Sequence, residues 1–202
     1  MESLIATLLV PIMLLNSIGG VVAGIWLIVI GKWTLVVSAL ISTVISTWVL
    51  ALLLAPTLIF AKPFAWATER KKNALVLILG ALSNLWTFVL MLLYSLGSFV
   101  FIFNNYESGT TVPYLLLAYA VSTGPWTYMA KGEHQSGGGG AGTTIPVIGV
   151  CVASVAMMVT AIFYGVLNVV ALTVACVIPL TLAWVLQMIF LVSTLKENSK
   201  TP

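Results

Sequence analysis

The chain's single histidine stands beside a glutamate in a glycine-rich run, "KGEHQSGGGGAGTT", from Lys131 to Thr144. Two chemistries are open to such a segment. Glu133 and His134 are an acid and an imidazole side by side, the residue types of general acid–base catalysis. Gly137, Gly139 and Gly142 fit the letters G-x-G-x-x-G of a dinucleotide-binding loop. Context argues against both. The dinucleotide loop needs a strand before it and a helix directly after it, within a βαβ unit. Here long apolar runs stand on either side. A phosphate loop of the other common kind needs lysine and a hydroxyl residue after its glycines, and no lysine follows these. Adjacent residues in a flexible loop are not held in a catalytic geometry. The run reads as a tether, with Glu133 and His134 as a gate or contact beside it. No catalytic constellation, metal site or cofactor is expected.

The elements around that tether are apolar. Of the 202 residues 61% are hydrophobic and 6% charged, against roughly 45–50% and about 25% in soluble domains. There is no aspartate, and the formal charge of +3 is too small to suggest a nucleic-acid partner. Cys151 and Cys176 lie inside apolar runs and read as small buried side chains. No basic residue precedes the first apolar run, so that run is expected to be retained rather than cleaved as a signal peptide.

A membrane helix needs about 20 apolar residues. Spans are expected at about 4–30, 33–55, 74–103, 112–130, 145–164 and 168–195. The last two come from one stretch too long for a single span, divided where Gly165 and Asn168 interrupt it. The fold class is therefore an all-α integral membrane protein, one compact domain of six transmembrane helices. Lys62, Arg70, Lys71, Lys72, Lys131, Lys196 and Lys200 fall on one side of this threading, and only Lys32 on the other. Cationic loops face the cytoplasm, so both termini are expected there. A bacterial inner membrane or another plasma membrane is the expected location.

Every Lys, Arg, Glu and His falls in a loop or tail of this scheme. Intramembrane charges usually mark proton relays, voltage sensors and ion paths. Their absence from the predicted spans argues against pumps and intramembrane metalloenzymes.

Polar and small residues carry the remaining information. Asn16, Ser17, Ser42, Ser46, Asn84 and Gln187 are the candidates for lining a polar cavity, because an unpaired amide in hydrocarbon costs several kcal/mol. Gly20, Gly24, Gly31 and Ser38 belong to small-residue faces on the first two spans, which let helices approach closely. Those faces are expected to meet each other or the rest of the bundle. Gly124-Pro125 is expected to break the fourth helix. Prolines 56 and 63 argue against one helix through the linker 56–73. That linker, with Lys62, Arg70, Lys71 and Lys72, is expected to lie on anionic lipid headgroups.

Two functions fit this pattern. One is a channel or carrier for a small neutral solute. The other is a non-catalytic membrane scaffold or subunit that acts through helix packing and through partner binding by its cytoplasmic loop, the partner being a second copy or another membrane subunit.

Overall fold

The computed structural model describes residues 2–104, 106, 111–135, 141–165 and 168–198, with side chains described at 14, 16–104, 106, 111–130, 144–165 and 168–196. Among the described residues there are six helices and no strand: α1 Glu2–Val29, α2 Trp33–Glu69, α3 Asn73–Phe103, α4 Thr111–Gln135, α5 Ala141–Tyr164 and α6 Val169–Asn198. Four segments, Trp33–Glu69, Asn73–Phe103, Thr144–Tyr164 and Val169–Lys196, are long and apolar enough to cross a membrane.

Two joints follow the sequence signals closely. Gly31 adopts φ +82° in the turn between α1 and α2, a conformation that other residues rarely accept. Gly165 does the same after α5 with φ +90°, and the Asn168 side chain then accepts the Ala171 N–H at 3.1 Å, capping α6.

The linker does not follow its signal. α2 runs unbroken through Pro56 and Pro63 to Glu69, a helix of 37 residues. Likewise α4 continues through Gly124 and Pro125 instead of breaking there. A proline in a helix removes one N–H and leaves the carbonyl four residues earlier without its donor. Pro125 frees the Val121 carbonyl, and the Tyr94 hydroxyl donates to it at 2.9 Å. Near Pro56 the Trp86 indole N–H donates to the Leu53 carbonyl at 2.8 Å, beside the one that the proline frees. At Pro125 a neighbouring helix thus supplies the donor that the proline lacks.

The segment 131–144 is also shorter as a loop than expected. Residues 131–135 extend α4 and 141–144 open α5. The rest, 136–140, and the side chains of Glu133 and His134 lie outside the described residues.

α4 is the middle of the bundle. It packs on α1, α2, α3 and α5, and Tyr114, Ala118, Ser122 and Thr123 are wholly buried along it. It is also absent from the four strongly apolar segments. The two facts have one cause. A helix enclosed by other helices contacts protein on most sides, so it tolerates Ser, Thr and Tyr whose hydrogen bonds are made inside. Ser122 pairs with Ser154 of α5 at 2.7 Å, and Thr123 and Thr127 donate back to their own helix. Outside, aliphatic and aromatic side chains are bare: Trp48 and Leu52 are each 76% exposed. Hydroxyls of α4 paired within and apolar groups without is an arrangement that a hydrocarbon solvent favours.

Small residues set the closest approaches. α1 packs chiefly on α4 rather than on its sequence neighbour α2. A Cβ added at Gly20 would sit 3.0 Å from the Ala120 Cβ, and one at Gly149 only 2.5 Å from the Ala183 Cβ. Gly24 faces Val36 of α2. Gly31 has no side chain within reach, so its role is in the turn. Ser38 lies exposed on the outer face of α2.

Candidate functional site

The six residues expected to line one polar cavity fall in separate places. Ser17 is exposed on α1. Asn16 is buried, 8% exposed, and lines neither of the two cavities described next. Ser42 and Ser46 share one cavity, and Asn84 and Gln187 share another.

The first is a cleft of about 190 Å³ between α2, α3 and α4, lined by Ser42, Ser46, Tyr94, Gly97, Ser98 and Val121 among others. Most of its polar atoms are already engaged. Ser42 donates to the Ala39 carbonyl at 2.9 Å and Ser98 to the Tyr94 carbonyl at 2.8 Å. The Tyr94 hydroxyl is committed to Val121. Its ring meets Trp126 edge-on, with centroids 6.2 Å apart. This cleft holds the α4 proline in place more than it offers a site.

The second is larger. It is a groove of about 480 Å³ between the second half of α2, the start of α3 and the end of α6. Phe60 and Phe64 come from α2, Gly80 and Asn84 from α3, and Gln187, Phe190 and Leu191 from α6. The sequence places them here through spacing. Thr57, Phe60, Ala61, Phe64 and Thr68 are three and four residues apart and so share one face of α2. Gly80 gives α6 room: a Cβ there would lie 2.7 Å from a Leu191 methyl and 3.6 Å from the Phe64 ring. A volume of this size, mostly apolar with a few polar groups, is the usual form of a small-molecule site.

The polar end is built from Asn84 and Gln187. They also wall a small chamber of about 10 Å³ with Thr87, Pro146 and Trp184, on the order of the space one water needs. The Trp184 indole nitrogen is buried with no hydrogen-bond partner. The Asn84 amide reaches the Met188 sulfur at 3.7 Å, a weak acceptor. Donor capacity therefore gathers at this end.

The opposite end opens beside the turn between α2 and α3. At that turn, on the face of α2 opposite the groove, the Arg70 guanidinium carbon lies 5.1 Å and the Lys72 ammonium 4.7 Å from the centre of the Trp66 ring. One indole holds two cations together. Lys71 between them has φ 53°, the left-handed region.

Trp184, Thr87 and Tyr94 were missed by reading the sequence for amides and small residues. Their only signal was polar capacity within apolar runs, which belt aromatics share. Among the described residues no three His, Cys, Asp or Glu side chains gather as a metal site, and both cysteines are buried and free. No protein-family model, curated protein or solved structure matches the chain.

Proposed function

We propose that the chain is a six-span integral membrane protein, with both termini and the basic turn on the cytoplasmic side, that binds a membrane amphiphile in the groove between α2, α3 and α6. The observation that carries this is the groove: mostly apolar, with the Asn84 and Gln187 side chains at one end.

Helix lengths support the placement. Trp33, Phe103 and Val169 stand at ends of α2, α3 and α6 that the topology puts on one face. About 20 residues of helix cross a hydrocarbon core. Counting inward from those ends reaches about residues 53, 83 and 189. Asn84 and Gln187 then lie at the inner hydrocarbon boundary, with Trp86 and Trp184 beside them as interfacial aromatics. The groove begins near that boundary and runs roughly 16 Å away from it along α2, past a headgroup layer of about 5–7 Å. A ligand that is part apolar and part polar suits that depth better than a small solute crossing the whole bilayer. The division of the six candidate residues between separate places also favours a lateral site over one aqueous path.

The test is lipid retention. Ala61 lines the groove from an exposed position, so Ala61→Trp fills the groove without entering the core. Native mass spectrometry of the full chain with dioleoyl phosphatidylcholine is expected to show one fewer tightly held lipid in the variant. An unchanged count would rule out the groove as the site.

The scaffold reading has its own support in α4. Its hydroxyls are satisfied inside the bundle, and its small contacts with α1 are close. In that reading the exposed face of α2 around Trp48 receives a second copy or a partner subunit. Cysteine cross-linking through position 48 in lipid nanodiscs tests it, and a purely monomeric product would reject self-association there.

A further inference from the structure

Among the described residues, no Lys, Arg, Glu or His lines the groove between α2, α3 and α6. Its polar lining is Thr57, Thr68, Ser83, Asn84, Gln187 and Thr194. We propose that the occupant is a neutral single-chain amphiphile, its uncharged, oxygen-bearing head at Asn84 and Gln187 and its chain against Phe60, Phe64 and Phe190. This names the chemical class of the amphiphile and rests on the groove being the site.

The lining sets the charge of the head. An ion taken into a site without a counter-charge gives up hydration and gains no partner. Arg70 and Lys72 do not supply one, because they stand on the Trp66 ring, on the face of α2 opposite the groove. The lining also sets where the head goes. Thr57 donates to the Leu54 carbonyl at 2.6 Å, Thr68 to the Phe64 carbonyl at 2.8 Å and Thr194 to the Phe190 carbonyl at 3.0 Å. These hydroxyls give their protons to their own helices, so the walls present mainly carbon. The amides stand together at the other end from Thr68. The Asn84 amide donates to the Met188 sulfur at 3.7 Å, a weak acceptor, and a ligand oxygen in its place makes the stronger bond.

Dimensions set the number of chains. The groove face of α2 runs from Thr57 to Thr68, so at about 1.5 Å per residue it is roughly 16 Å long. An extended chain advances about 1.2 Å per bond, so roughly a dozen methylenes cover that length. Spread over the same length, the volume of about 480 Å³ leaves a mean cross-section of roughly 30 Å², which takes one hydrocarbon chain and not two abreast. A two-chain lipid seats one chain here and leaves the other outside. With the head at the hydrocarbon boundary, the chain runs away from the bilayer core. The aromatic walls then keep water off the part that passes beyond the headgroup layer.

The experiment compares N-oleoyl ethanolamine with N-oleoyl taurine, which share a chain and an amide and differ in carrying a hydroxyl or a sulfonate. Each is titrated onto the full chain loaded with dioleoyl phosphatidylcholine, and displacement of the lipid is read by native mass spectrometry. On the parent, the neutral compound is expected to displace the lipid at a concentration at least about tenfold lower, because the sulfonate meets no counter-charge. Asn84→Leu should weaken the neutral compound about three- to tenfold, the worth of one hydrogen bond. It should leave phosphatidylcholine retention as in the parent, which also shows that the variant is folded. Ala61→Trp should lower retention of the lipid and of both compounds. If the two compounds displace the lipid equally while Ala61→Trp still lowers retention, the neutral head is excluded and the amphiphile groove stands. If Asn84→Leu binds the neutral compound as the parent does, the head is not at the amides and the proposal is overturned. If Ala61→Trp changes nothing, the groove and the proposal fall together. The comparison of the two compounds on the parent decides the charge of the head without any variant.

Discussion

Replacing Tyr94 by phenylalanine deletes one hydroxyl, the one that reaches the Val121 carbonyl at 2.9 Å. That carbonyl is the acceptor Pro125 leaves without an N–H. With the hydroxyl gone, a buried acceptor has lost both its normal and its substitute donor. An orphaned buried polar group costs about 1–3 kcal/mol in water-soluble proteins, and hydrogen bonds between membrane helices average about 0.6 kcal/mol with a maximum of about 1.7. A loss of about 1–1.5 kcal/mol is expected for Tyr94→Phe. Pro125→Ala restores an N–H to the same carbonyl, so in that background Tyr94→Phe should cost less than about 0.5 kcal/mol. The difference, a coupling of roughly 0.5–1 kcal/mol, is measured by a double-mutant cycle on reversible unfolding in mixed micelles. Equal losses in both backgrounds would refute the claim that Tyr94 acts through the proline-freed carbonyl.

The other predictions rest on single contacts. Ser122→Ala or Ser154→Ala alone should destabilise the bundle by about 0.5–1.5 kcal/mol, whereas the double substitution should recover much of the loss, because removing both partners leaves no orphan; the same unfolding assay reads it. Gly149→Ala should cost about 1–3 kcal/mol by overpacking, since its methyl would fall 2.5 Å from the Ala183 Cβ at the contact of α5 with α6, and a melting temperature equal to the parent's would contradict that contact. Asn168→Ala should lower stability by about 1 kcal/mol through loss of the α6 cap, with Asn168→Ser retaining most of it.

Which of these features the sequence discloses depends on whether the cause is local. The joint at Gly165 and Asn168 was legible because one residue supplies a positive φ and the other a cap, and both act within a few residues. The four strongly apolar helices were legible from their length and composition. The passage of α2 and α4 through their prolines was not. Proline chemistry states which bond is missing, but the replacement donor at Pro125, Tyr94, lies 27 residues away from its acceptor. The groove was half legible. Asn84 and Gln187 stood out as amides in apolar runs, yet only the packing of α3 on α6 puts them together, and only the unbroken α2 brings Phe60 and Phe64 to cover them. Asn16 stood out by the same criterion and lies elsewhere, because chemical type alone does not say which helix a side chain will meet.

The enclosed position of α4 has a consequence for biosynthesis. A nascent segment leaves the insertion machinery for lipid according to its own apolarity. α4 is outside the strongly apolar set, and the groups that make it so, Ser122, Thr123 and Thr127 among them, find shelter only against other helices or their own turns. In a six-span chain, α4 emerges after α1, α2 and α3, three of the helices it packs on, and before α5. In the proposed six-span arrangement its entry into the bilayer is a docking event onto a surface already laid down, sealed when Ser154 arrives with α5. Chain order and packing order coincide around the one helix least able to enter alone.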